Sequence, residues 1–175
     1  MTPDSFSFGK YNSLDDWGVR VITYDVLLPP KRERKVQIPR RSGRYNYGDN
    51  VWDERTIRIT CTLERKISRA QVREIAYALS QESNLVLWEE PDKYYIGEIY
   101  DPAEILDYFD ECMRDFELTF ICRPFAYSAA KTVPISSGNV TTEYQGTADA
   151  PCTIILRNNT GSAIVNPTIK FTYRR

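Results

Sequence analysis

Two clusters of opposite charge hold most of this chain's capacity for chemistry. Lys31, Arg32, Arg34, Lys35, Arg40, Arg41 and Arg44 form a basic cluster broken only by Glu33. Asp101, Glu104, Asp107, Asp110 and Glu111 form an acidic one. Paired carboxylates can serve glycoside hydrolysis, and closely set ones can hold Ca²⁺. The acidic run lacks the Gly-turn of a calcium loop, so it reads as a solvated face. The basic run suits either nucleic acid or a protein interface in which planar Arg heads meet carboxylates. A formal net charge of −1, with no nucleic-acid motif around the run, favours the interface. No specific nucleic acid is expected as a partner.

Other chemistry is poorly supplied. Histidine is absent, which excludes Ser-His-Asp and Cys-His machinery and every His-ligated metal. The four cysteines, Cys61, Cys112, Cys122 and Cys152, form no Cys-x-x-Cys pair. Cys61, Cys122 and Cys152 each lie in a strand-like run, so they read as buried free thiols of a reducing compartment. No catalytic residue, metal site or cofactor is expected. Trp88, Tyr94, Tyr95 and Tyr100 flank one hairpin, and their alternation fits core and interface packing better than a sugar or base platform. No secretory leader and no stretch approaching the ~20 apolar residues of a membrane span stands out, so no membrane partner is expected.

The elements that must position these residues are mostly strands. Val19 to Leu28 is β-branched and aromatic and stops at Pro29-Pro30. Lys35 to Ile38 alternates as an edge strand stopped by Pro39. Thr56 to Glu64 is the cleanest strand, with Ile57, Ile59, Cys61 and Leu63 on one face. A helix follows: Ser68 is its N-cap, Gln71 completes a capping box, and Val72, Ile75, Ala76 and Leu79 form the buried stripe. Leu85 to Trp88 and Tyr94 to Tyr100 make a hairpin around a turn at Glu90-Pro91-Asp92-Lys93. Arg114 to Cys122 is a further strand with Phe116, Leu118, Phe120 and Cys122 on one face. Residues 101–111 read as a helical turn or an irregular loop. From Ser128 on, Ser, Thr, Asn and Gly dominate, and strands are expected at Cys152 to Leu156 and Thr168 to Tyr173.

Several of these pieces, in order, carry a resemblance: Phe6-Ser7-Phe8, Trp17-Gly18-Val19, Ile38-Pro39-Arg40-Arg41-Ser42-Gly43-Arg44-Tyr45, Arg55-Thr56-Ile57-Arg58-Ile59, the helix after Ser68, Tyr94-Tyr95, and Phe120-Ile121-Cys122-Arg123-Pro124-Phe125. Over residues 5–127 the chain resembles the amino-terminal domain of distal tail proteins, the ring-forming adaptors at the tip of long non-contractile phage tails. The family commonly has Pro-Gly-x-x-Gly near position 39, and Arg40 replaces the first of those glycines.

The resemblance implies a mainly β fold with one helix (α+β), a β-sandwich carrying a helix over residues 1–127. It implies that 128–175 is a short β segment, the opening of a second domain of galectin or carbohydrate-binding-module type, either truncated or belonging to an unusually short family member. It implies a non-enzymatic protein of the virion tail tip, assembled in the bacterial host cytoplasm. Its partners would be five further copies of itself in a hexameric ring, the tail tube protein, the tail-associated lysin and the receptor-binding protein. Arg34, Arg40, Arg41, Arg44, Tyr45 and Tyr47 would lie on an arm reaching the neighbouring subunit. The alternative class is a carbohydrate-binding module that recognises host surface glycans.

Overall fold

The computed structural model describes residues 2–32, 35–46, 51–100, 115–135, 142–144, 146–159 and 161–163 (at 35, 45 and 46 the backbone alone). The chain separates into two compact units, Met1–Pro134 and Ile135–Arg175.

The first unit is built on strand β6, Arg55–Leu63. Its strict alternation turns Ile57, Ile59, Cys61 and Leu63 to one side, and all four are buried. β3, Val19–Val26, pairs antiparallel along one edge of β6, and β9, Phe116–Cys122, along the other. Phe116, Leu118, Phe120 and Cys122 of β9 are buried with them, as the alternation predicts. β3 would break this pattern, since Val19 and Val21 alternate inward but Tyr24 and Val26 are out of phase with them. A bulge between Val21 and Thr23 absorbs one residue. It leaves Ile22 exposed and lets Tyr24 and Val26 pack on the core as well.

β1 (Phe6–Phe8), β2 (Tyr11–Asn12), β7 (Ser83–Leu87) and β8 (Lys93–Glu98) complete the sheet, in the order β2-β1-β7-β8-β9-β6-β3. A short β10, Tyr127–Ser128, pairs with β8. The turn expected between β7 and β8 is present, with Lys93 N–H donating to the Glu90 carbonyl at 3.1 Å around Pro91. The sheet curls until its two ends meet. Val21 N–H donates to the Asp4 carbonyl just before β1, and Val19 N–H to the Ser13 carbonyl just after β2, each at 2.8 Å. Phe6 and Phe8 of β1 touch Phe120 of β9, with ring centroids 5.7 and 5.5 Å apart, although two strands lie between them. The two layers of the expected sandwich are therefore opposing walls of one curled sheet, which leaves few unpaired backbone groups at an edge.

The helix α1, Arg69–Leu79, closes this core as the sequence predicts. Ser68 Oγ accepts from Gln71 N–H at 3.3 Å while Gln71 Oε1 accepts from Ser68 N–H at 3.0 Å. Val72, Ile75, Ala76 and Leu79 are the buried stripe, and Ile99 N–H donates to the Leu79 carbonyl where the helix meets the chain beyond β8. No described helix is long and apolar enough to cross a membrane. The acidic run and its helical-turn reading, residues 101–111, lie outside the described residues, as does Cys112.

The second unit departs from expectation. Residues 151–159 form no strand, and Cys152, Ile155 and Leu156 are exposed. Period-2 patterning becomes a strand only when a partner ladder and a core face are supplied, and the described residues of this unit supply neither. The strand expected at Thr168 to Tyr173 lies outside the described residues.

Two substitutions test the core. Ile75 is 2% exposed, so Ile75→Ala should cost about 2–5 kcal/mol in a denaturant titration. A β-carbon at Gly97 would lie 2.5 Å from both Cys122 Sγ and the Ile121 carbonyl oxygen. Gly97→Ala should therefore destabilise by about 1–3 kcal/mol through overpacking between β8 and β9. Wild-type midpoints for either variant would show that the helix face or the strand register is wrong.

Candidate functional site

The polypeptide between β3 and β6 forms the most distinctive surface of the first unit. The ladder continues past Pro29-Pro30 in the register it had before: Val26 pairs with Ile57, and Lys31 bridges to Trp52. Asp53 N–H donates to the Pro30 carbonyl and Arg32 N–H to the Val51 carbonyl, both at 2.8 Å. Further out, β4 (Lys35–Gln37) pairs with β5 (Arg44–Asn46) as a separate two-stranded sheet. The arm expected from the sequence is thus an extension of the β3–β6 hairpin beyond the core.

Side chains clamp the base of this arm. Arg32 sends Nε and Nη2 to the same Asp53 oxygen at 3.1 and 2.7 Å. That acceptance, and the Asp53 charge, raise the Arg32 pKa above its ordinary value. Lys31 Nζ sits 4.9 Å from the centre of the Trp52 ring, whose edge meets Phe125 at 6.3 Å. The flanks of the same hairpin expose Leu27, Leu28, Val36, Val51 and Trp52, with Leu28 87% exposed. Large apolar side chains grouped on one projecting element mark a surface that another molecule covers.

The tip is a defined turn. Arg41 N–H donates to the Ile38 carbonyl at 3.2 Å, so Ile38-Pro39-Arg40-Arg41 is a hydrogen-bonded four-residue turn. Proline takes its second position, and Arg40 takes the third with φ +65. Those are the features of a type II turn, whose third position normally belongs to glycine. Gly43, three residues on, has φ +85. The replacement of glycine by Arg40 therefore leaves the turn in place, with the arginine in the left-handed conformation.

Of the six residues that the sequence assigns to an interface, Arg40, Arg41 and Arg44 stand exposed on this arm. Tyr45 lies in β5 opposite Val36. Arg34 and Tyr47 lie outside the described residues. Arg40 and Arg44 meet no carboxylate among the described residues. Residues 31–46 carry seven cations and one anion, so the rest of the chain holds sixteen cations against twenty-three anions. The apolar flank at Leu27, Leu28, Val51 and Trp52 was not singled out in the sequence. Its only signal is the apolar run Val26-Leu27-Leu28 directly before Pro29-Pro30, where a strand should end.

Nothing comparable supports covalent chemistry. Among the described residues no group of three His, Cys, Asp or Glu could hold a metal. One open depression is lined by Thr2, Ser7, Asp15 and Pro91; there Thr2 Oγ1 donates to Asp15 Oδ2 at 3.0 Å, but an exposed carboxylate alone is too weak a base to activate a hydroxyl. Burial pushes the Cys61 thiol up, and it pushes Cys122 up to about 12 against a lesser opposing pull from Arg55. Both are held as unreactive thiols. Cys152 contradicts its expected burial because its strand is not formed. Tyr24 is raised by burial and by donating to Glu89 Oε2 at 2.6 Å, which fixes its ring against Trp88.

Comparison with known proteins agrees with this geometry. The family model described as the phage tail protein RIFT-related domain matches residues 23–122, more than half of the chain. No curated protein matches in sequence. Among solved structures, the SPP1 Dit (gp 19.1) protein superposes with a TM-score of 0.55 at 13% identity, over 71% of this chain and 52% of its own. That protein is described as a paradigm of the hub adsorption apparatus in phages infecting Gram-positive hosts. The likeness is one of fold, and this chain spans about half the length of that protein.

The thiols give a test. At neutral pH a maleimide should label Cys152 at once and reach Cys61 and Cys122 only on unfolding, read by peptide mapping. Because Cys122 is raised from 9.0 to about 12, its burial stabilises fully below pH 9.0. That contribution is lost as the pH rises from 9.0 towards about 12, where the unfolded thiol is ionised and the folded one still protonated. Denaturant midpoints should fall across that window, and less steeply for Cys122→Ala.

Proposed function

This chain belongs to the phage tail proteins that carry the RIFT-related domain, and from that membership we propose that it is a distal adaptor which closes into a six-fold ring by passing its basic arm to the next copy. Membership makes it a structural protein of the phage tail that associates with other tail proteins. The resemblance read from the sequence is borne out by the family and by the fold it shares with the SPP1 protein.

The observation that carries the ring is the segregation of charge. A closed ring needs two different patches on each subunit, one to give and one to receive. The arm supplies a cationic, apolar-flanked patch outside the core, and the remainder of the chain is net acidic. Six copies match the symmetry that the family resemblance implies for the tail tube. In this reading the ring sits at the virion tail tip and joins the tube protein to the tail-associated lysin and the receptor-binding protein. Its role is mechanical and not catalytic. Residues beyond Pro134 are the opening of a second domain of galectin-like or carbohydrate-binding-module type, while Ser128 still pairs within the first unit. The composition shift and the division of the chain after Pro134 support that assignment.

Sedimentation and native mass over a concentration series should show a closed six-copy ring, visible by particle imaging. A monomer or a two-fold dimer at every concentration would overturn the reading. Arg40→Glu with Arg44→Glu should abolish the ring and leave thermal unfolding of the monomer nearly unchanged, since exposed ion pairs contribute little within a chain. Tight, steeply salt-dependent DNA binding by the unmutated chain would return the arm to nucleic acid.

A further inference from the structure

We propose that Arg40 is the docking residue of the arm, a guanidinium held at the tip of a rigid turn to receive a carboxylate from the next copy; this rests on the ring reading above. The conformation of the residue is the starting point. At φ +65 the β-carbon of an L-residue crowds its own backbone, and glycine adopts the same angles without that conflict. The chain does place glycine where only the backbone matters: Gly43 in the same loop has φ +85 and open space around it.

Nothing among the described residues offsets the strain at Arg40. Its side chain is exposed, and its head meets no carboxylate among the described residues. Strain at a solvent-facing turn that no described residue compensates points to a requirement outside the chain. What arginine adds there is the planar fork, which binds a carboxylate through two parallel hydrogen bonds. Pro39 locks the backbone before it, and the Arg41-to-Ile38 hydrogen bond closes the turn, so the Cα–Cβ direction at 40 is set before contact. The excess of twenty-three anions over sixteen cations outside the arm makes a second copy the partner that fits.

Arg40→Gly tests this, because it relieves the strain while removing the head. Its unfolding midpoint should equal or exceed that of the parent, while ring dissociation in sedimentation becomes at least about tenfold easier. Arg40→Lys, which keeps charge but loses the fork, should fall between parent and glycine variant. If Arg40→Gly assembles like the parent while Arg40→Glu with Arg44→Glu does not, the docking role of Arg40 fails and the ring reading stands. If the double reversal assembles too, the arm reading itself fails. A lowered midpoint in Arg40→Gly would give the arginine an intrachain role and overturn the proposal.

Discussion

The ladder between β3 and β6 is the constraint on which the rest of this structure depends. On its inner half it presents Val19, Val21, Ile57, Ile59 and Cys61 to the core. On its outer half the same ladder runs past the core and becomes the arm. The bulge near Ile22 reconciles the two halves. It puts both Val21 and Tyr24 against the core, so that β3 covers the full length of β6 before it leaves. A one-residue slip in this pairing would turn the isoleucines of β6 outward and re-aim the arm at the same time. Core stability and arm direction are therefore not separable properties.

A two-stranded hairpin with no core beneath it is marginal in water. Here the base is held by the Arg32–Asp53 fork, the Lys31–Trp52 contact and the edge of Phe125, and the tip by Pro39 and its turn. The cationic and apolar side chains between those two anchors gain little from folding alone. They gain when a complementary surface excludes water from them, where charge sets approach and orientation and apolar contact slows departure. The buried end of the first unit shows the contrasting economy. Ser5 and Ser13 are fully buried and satisfied: Ser5 Oγ donates to the Thr2 carbonyl, and Ser13 Oγ accepts from Phe6 N–H. The two buried thiols stay protonated. Polar groups inside serve the fold, and on the arm Arg32, Asp53 and Lys31 do the same at its base.

The sequence by itself determined the parts whose causes are local. The helix was legible because a capping box and a 3.6-residue stripe act within a dozen residues, and Ser68, Gln71 and the four buried positions all proved correct. β6 and β9 were legible because strict alternation over seven or more residues leaves one way to face a core. The arm was legible as an excess of cations between prolines, more than a core can hold. The same local rules misled at Cys152 to Leu156, where alternation was present and a pairing surface was not.

Only the tertiary structure decided how the sheet closes, because closure joins Asp4 to Val21 and Phe6 to Phe120 across residues that share no sequence pattern. It decided that β3 needs a bulge, since the choice depends on which side chains β6 leaves uncovered. It also decided that the base of the arm keeps the register of the outer core ladder, which brings Leu27, Leu28, Val51 and Trp52 onto one projecting hairpin, while the pairing of Lys35 with Asn46 further out is shifted from it by two residues. Arg40 marks the boundary between the two. The family resemblance marked Arg40 as standing where a glycine is common. That it keeps the glycine's conformation depends on the Pro39 turn and the strands on either side, which together hold one residue in a geometry its own side chain disfavours.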